Sequence, residues 1–167
     1  TNGQEPDMIQ KLQDEDALPT QLYLSTNAAD YESFIKINKP KYDDSWERWN
    51  RTLDMLKNLD TRTVLRITLI RDYNDQKEMI PAFADMFRKA SPHFIEIKSY
   101  MHIGRSTNRL EHENMLEMHE VKKFSEQIAK QSKIFSIMDE SLVSRISILQ
   151  NNERFIDRWI PTYANTN

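Results

Sequence analysis

The sequence predicts an α/β protein, with parallel strands joined by helical crossovers and a smaller α+β extension at the C-terminal end. Two observations carry this. Short alternating or β-branched runs, of which residues 61–70 (TRTVLRITLI) are the clearest, recur between amphipathic helical stretches, and the connections are long enough for right-handed crossovers. The strand over residues 94–101 ends in charged side chains and feeds a polar, basic loop through Gly104, one of only two glycines in the chain. Parallel sheets and barrels place their chemistry at such strand ends.

Taken in order, Thr1-Asn2-Gly3 is a turn signal, and Pro6 opens a helix with Met8, Ile9 and Leu12 on its apolar side. Residues 20–26 form a strand, with Gln21, Tyr23 and Ser25 on one face and Leu22, Leu24 and Thr26 on the other. Residues 30–38 make a short helix or turn with Phe34 and Ile37 inward. Asp44 and Glu47 have capping-box spacing for a helix over residues 45–59. On it Trp46, Trp49, Leu53, Leu56 and Leu59 repeat every three or four residues. Two tryptophans a turn apart would suit base stacking, but the stripe continues as leucines, and packing accounts for them.

In the strand over residues 61–70, Leu65, Ile67 and Leu69 form one face and Val64, Arg66, Thr68 and Ile70 the other. An arginine there is costly to bury unpaired. In a closed or partial barrel that face lines a polar lumen, where Arg66 meets Glu96 of the next strand or a substrate carboxylate. Pro81 opens a helix with Phe83, Met86, Phe87 and Ala90 inward, and Ser91-Pro92 stops it. In the strand that follows, Phe94, Glu96, Lys98 and Tyr100 share a face. Residues 117–131 form a helix with Val121, Phe124 and Ile128 inward. Residues 135–138 are a short strand-like run, and Asp139-Glu140 leads into a strand over residues 142–149. Phe155, Ile156 and Trp159 form a last strand or turn, and residues 162–167 a polar tail.

At 167 residues the chain is one domain, or a domain with an extension. It opens without an initiator Met, which suggests part of something longer. The net charge of −3 and pI near 5.8 exclude a generally basic nucleic-acid binder. An RNA contact would need a local patch, which Arg66, Arg71, Arg105, Arg109 and Arg145 supply at strand ends and adjoining loops. There is no cysteine, hence no disulfide and no thiolate ligand. His93, His102, His112 and His119 lack a tight ligand spacing, so no metal site is expected. No apolar run of about 18 residues and no signal peptide is present, which leaves the cytoplasm by default.

The segment FIEIKSYMHIGRSTNRLEHENM, residues 94–115, resembles the stretch after the last barrel strand of tRNA 4-demethylwyosine synthases, the radical S-adenosylmethionine (SAM) enzymes of wyosine and wybutosine synthesis. The family pattern is E-x-K-x-Y-M, then G-x-S-x-N-R-L, then N-M-P and a His. Glu96, Lys98, Tyr100, Met101, Gly104, Ser106, Asn108, Arg109, Leu110, Asn114, Met115 and His119 match it, and Leu116 replaces the proline. TNG with its following Pro6, TQLYLSTNA, R-x-T-L at Arg66, and DESLVSRISIL (Val143 replacing a proline) resemble other family segments, from residue 1 to about Trp159.

The resemblance implies the C-terminal portion of a radical SAM partial (β/α)6 barrel over residues 1–103, from the end of strand three to strand six. It implies a wyosine-base-formation extension over residues 104–160 and a tail over residues 161–167. It implies an enzyme that condenses N1-methylguanosine-37 of phenylalanine tRNA, in the anticodon loop, with pyruvate. SAM and a [4Fe–4S] cluster would be its cofactors, and flavodoxin or ferredoxin its electron donor. Asn2, Ser25, Asn27, Arg66 and Thr68 would face the cofactor. Lys98 and Glu96 would be catalytic, and Tyr100, Gly104, Arg105, Ser106, Asn108, Arg109 and Asn114 would hold tRNA or order the site. The cluster's C-x-x-x-C-x-x-C motif is absent, so this chain alone is expected to be inactive. For Lys98 three roles stand open: a Schiff base with a ketoacid, a charged contact to the pyruvate carboxylate, or a salt bridge to Glu96 or a neighbour. Two other function classes also stand: a non-catalytic tRNA-binding module, and an unrelated α/β metabolic domain.

Overall fold

In a computed structural model, which describes residues 1–160, five strands form one mixed sheet in the order β1-β2-β3-β5-β4. The expected polar tail, residues 161–167, lies outside the described residues. β1 (Gln21–Ser25), β2 (Arg62–Leu69) and β3 (Phe94–Ser99) are parallel, joined by crossovers containing α2 (Tyr31–Asn38), α3 (Ser45–Met55) and α4 (Ile80–Ala90). The remaining strands, β4 (Phe135–Ser141) and β5 (Ile146–Asn151), form an antiparallel hairpin, and β5 joins β3 antiparallel. The parallel run ends at β3, and the hairpin beyond it is the antiparallel part of the expected α+β extension. The helix α5 (Met118–Ser132) connects β3 to this hairpin, and α1 (Pro6–Asp14) precedes β1.

Period-2 patterning explains the layering. Leu24, Leu65, Ile67, Leu69, Ile95, Ile97 and Leu149 point to one side, fully buried under Trp49, Leu53, Phe83, Phe87, Phe124 and Ile128 of the helices. The opposite side carries Tyr23, Arg66, Thr68, Lys98, Ile146 and Ile148, all partly exposed. The helices thus cover one face and leave the other open. Trp46 stacks on Trp49 with centroids 5.3 Å apart and Phe34 meets Trp46 edge-on at 5.2 Å, so the two tryptophans pack the core as their spacing suggests.

Gly3 is required where it stands. Its φ is +75°, and a Cβ there would lie 2.7 Å from Leu24 Cδ1 and 3.0 Å from Trp49 Cδ1. The Thr1 carbonyl accepts from the Ser25 N–H at 3.0 Å, which draws the first residues alongside the end of β1.

Three local expectations are corrected. The Asp44/Glu47 box does not form: Asp44 has non-extended backbone (φ −92°, ψ 20°), so its carboxylate accepts from Arg48 Nε at 2.8 Å instead of capping the helix. That bond holds the Asp44 carboxyl below its usual value. The strand placed over residues 142–149 starts late. Residues 142–145 are the hairpin turn, with Arg145 left-handed (φ 50°) and Val143 94% exposed, and Asp139-Glu140 belongs to β4. Residues 152–160 contain bends and no strand, with Phe155 and Trp159 exposed. This segment is tied to β2 because the Arg62 guanidinium donates to the carbonyls of Asp157, Arg158 and Trp159.

Candidate functional site on the open face of the sheet

Strand register assembles the site in two cross-sheet rows. Ser25, Arg66, Glu96 and Ile148 pair in one row, and Thr68, Lys98 and Ile146 in the next, one step nearer the C-terminal ends of the parallel strands. Neighbours in a row are about 4.8 Å apart across the sheet. Sequence positions scattered over 120 residues thereby become one surface.

The first row is held by charge. Arg66 donates from Nε to Glu96 Oε1 at 2.8 Å and from Nη2 to Oε2 at 3.4 Å, and its guanidinium lies 4.4 Å from the Tyr23 ring centroid. Glu96 is buried, so its charge needs this partner. Burial first, and then the Glu96 carboxylate, push the Tyr23 phenol above its usual pKa, with Arg66 opposing. Glu96, the next-strand partner expected for Arg66, is engaged.

That pairing decides one of the roles open to Lys98. Glu96 is committed to Arg66, and among the described residues no carboxylate lies within 4 Å of the Lys98 amine. The salt bridge from Lys98 to Glu96 is not made. Lys98 stands half-buried between Thr68 and Ile146 on the open face, with Ile148 on the diagonal.

Beside these rows, at the end of β1, is a cleft of about 480 Å³ lined by Asn2, Gln4, Ser25, Asn27, Lys39 and Trp49, among others. It brings together three of the positions implied for the cofactor. Asn27 Oδ1 accepts from the Thr68 N–H at 2.9 Å, so the Asn27 side chain braces β2. Trp49 Nε1 donates to the Ser25 carbonyl at 3.1 Å, which fixes the strand end. The Ser25 side chain is exposed, and Gln4 contributes a buried Oε1 with no hydrogen-bond partner among the described residues. Sequence reading missed Gln4: a glutamine in a turn carries no signal of burial.

The loop after β3 is less uniform than its residue types suggest. Tyr100 is buried in a small cluster with Ile70 and Leu110, its hydroxyl 3.1 Å from His102 Nδ1. Gly104 (φ +64°) opens a 3-10 turn, Gly104–Asn108, in which the Ser106 hydroxyl donates to the Ile103 carbonyl at 2.6 Å. Arg105, Asn108 and Arg109 are exposed. Asn114 orders the loop rather than projecting from it, accepting from the Glu111 N–H at 2.8 Å and donating to the Arg71 carbonyl at 3.1 Å.

Arg71 clamps this loop to α5. It meets Glu120 through two bonds of 2.6 Å and donates to the carbonyls of Glu113 and Met115. The guanidinium holds the Glu120 carboxyl below its usual range, and Glu120 also accepts from the Glu117 N–H. Arg145 pairs with Glu117 at 3.2 Å. Arg66, Arg71 and Arg145 are therefore spent on ion pairs. Of the five arginines, Arg105 and Arg109 alone have no carboxylate within 4 Å among the described residues.

Residues 89–151 match the protein family described as wyosine base formation. Over 153 residues the chain is 37% identical to the S-adenosyl-L-methionine-dependent tRNA 4-demethylwyosine synthase of Pyrococcus abyssi, covering 92% of this chain and 44% of that protein. The Methanocaldococcus jannaschii protein of the same name is 41% identical over 159 residues, 94% of this chain and 47% of that one. Among solved structures, TYW1 with a lysine-pyruvate adduct bound aligns with a TM-score of 0.80 at 40% identity, over 93% of this chain and 47% of that chain. A crystal structure of archaeal TYW1 aligns with a TM-score of 0.73 at 35% identity, over 93% and 46%. The chain spans about half the length of these archaeal relatives. With this identity and this fold over about half their length, the chain matches the tRNA 4-demethylwyosine synthases and fits their C-terminal half.

Proposed function

We propose that this chain is part of a radical SAM enzyme that condenses N1-methylguanosine-37 of phenylalanine tRNA with pyruvate, and that Lys98 is the amine that takes up pyruvate. The observation that carries the reading is the commitment of Glu96 to Arg66, which leaves a half-buried Lys98 amine on the open face without a counter-ion among the described residues. The aligned TYW1 structure with a lysine-pyruvate adduct supports it.

In the proposed step the Lys98 nitrogen lone pair attacks the ketone carbon of pyruvate, the oxygen takes up protons and leaves as water, and a carbon–nitrogen double bond results. Glu96 and Arg66 keep the neighbouring row fixed and Thr68 forms the wall beside Lys98, so the bound ketoacid is oriented before reaction. Ile146 and Ile148 bound the other side and limit water around the amine.

Two cofactors are implied, and the residues fit them differently. The cleft of Asn2, Gln4, Ser25 and Asn27 suits a polar nucleoside such as SAM, because polar side chains line it and Ser25 is exposed at its edge. When bound, SAM would supply the radical chemistry of the family. The [4Fe–4S] cluster needs thiolates, and no residue of this chain provides one. An electron carrier such as flavodoxin or ferredoxin belongs to the same reading. Lys98→Arg tests it in the full-length protein: the tricyclic base should be missing from digested tRNA by mass spectrometry, and its formation at the wild-type rate would overturn the assignment.

A further inference from the structure

The cleft at Ser25 does not end there. Lys39 lines it, and also lines two adjoining clefts: an outer one of about 730 Å³ with Lys36, Lys41 and Tyr42, and a small one of about 70 Å³ with Lys36, Tyr73 and Arg109. A cationic track thus leads from the loop after β3 to the mouth of the candidate cofactor cleft. Lys36, Lys39, Lys41 and Arg109 are all exposed, and among the described residues none has a carboxylate within 4 Å. Asp43, at the outer end, is the one acidic residue lining the three clefts among the described residues.

Backbone and aromatic geometry support a built groove. Lys39 occupies the left-handed cap of α2 (φ 45°, ψ 60°), a position that glycine fills without steric cost, yet the chain places a lysine where the three clefts meet. The Lys36 amine lies 4.7 Å from the Tyr73 ring centroid, and Tyr42 is 43% exposed beside Lys41. Cations beside the exposed rings of Tyr31 and Tyr42, which line the outer cleft, are the recognition chemistry of single-stranded nucleic acid: charge for phosphates, flat faces for bases. This local sign opposes the chain's net charge of −3, so bulk electrostatics does not account for it.

We propose that the groove of Lys36, Lys39, Lys41 and Arg109 takes the phosphodiester backbone of an RNA loop and leads one of its bases toward the open face. This rests on the reading of tRNA as the substrate. The test is tRNA binding by the full-length protein across a salt series, for the Lys39→Ala/Arg109→Ala double variant against the parent. Removing two phosphate contacts should lower the slope of log affinity against log salt by about 1.4 and weaken binding at least about tenfold near 0.1 M salt. Lys36→Gln/Lys41→Gln should act alike, and Lys130→Gln, on α5, should change neither. Unchanged slopes in both double variants would overturn the proposal. So would intact tRNA binding with lost reduction by an acidic electron-carrier protein, which would give the groove to a protein instead. The groove is judged by the salt slope and the Lys98 reading by pyruvate capture, so the two fail separately.

Discussion

On one side of the sheet Leu65, Ile67, Leu69, Ile95 and Ile97 are fully buried beneath the helices; one residue away along the same strands, Arg66, Thr68 and Lys98 are partly exposed. The covered side is apolar and holds the fold together through packing. The open side contains a fixed ion pair, an amine with no counter-ion among the described residues and a polar cleft at its edge. Alternation along a strand lets a single run of residues serve both ends, and it makes the two sides separable by mutation. A change on the covered side should cost stability, and a change on the open side should cost chemistry.

Ile97 and Lys98 are adjacent and make the sharpest pair. Ile97→Ala leaves a cavity in a close-packed layer and should lower the unfolding free energy by about 3 kcal/mol, read as a reduced urea midpoint at constant slope. A second effect tests the covered rim. His93 is buried, its Nδ1 accepting from the Thr63 N–H at 3.1 Å, and burial first, then Arg154 and Arg62, lower its pKa from 6.5 to about 4. The unfolded chain takes up this proton near pH 6.5 and the folded chain only near 4. Stability should therefore fall as pH drops through that window, by about 2 kcal/mol after screening is allowed for. His93→Gln should flatten the dependence between those pH values. The Glu120 carboxyl, held low by Arg71, adds a loss in the same direction at more acid pH.

Smaller effects belong to the loop and the open face. Glu120→Gln weakens the Arg71 clamp and should cost about 1–2 kcal/mol, with faster proteolysis at residues 111–116. Lys98→Met should change stability by less than about 0.5 kcal/mol. If Lys98→Met proves as destabilising as Ile97→Ala, the division between the faces is wrong.

Much of this division was legible in the sequence, because it is periodic. The alternation in TRTVLRITLI and FIEIKS assigns both faces correctly, and the Trp46–Leu56 stripe finds the helical cover. What was not legible depends on partners or on backbone geometry. Asp-x-x-Glu at Asp44 has the right spacing for a cap, but the backbone turns the carboxylate to Arg48. Asp30 does cap α2, accepting from the Ser33 N–H at 2.9 Å, but the two capping boxes that form, Glu111 with Asn114 and Glu117 with Glu120, begin with glutamate, a less common capping residue. The hairpin turn at residues 142–145 contains no glycine, so Arg145 adopts the left-handed conformation without a composition signal. The basic patch was assigned to five arginines, of which three are paired. The lysines Lys36, Lys39 and Lys41 were visible in the sequence but masked by the acidic total.

The most direct test of the open-face account is capture of pyruvate. The full-length protein would be incubated with pyruvate and borohydride, then digested and mapped by mass spectrometry. The account predicts a reduced pyruvate adduct on the peptide containing Lys98, lost in Lys98→Arg. An adduct on a different lysine, or equal labelling of the Lys98→Arg variant, would contradict it.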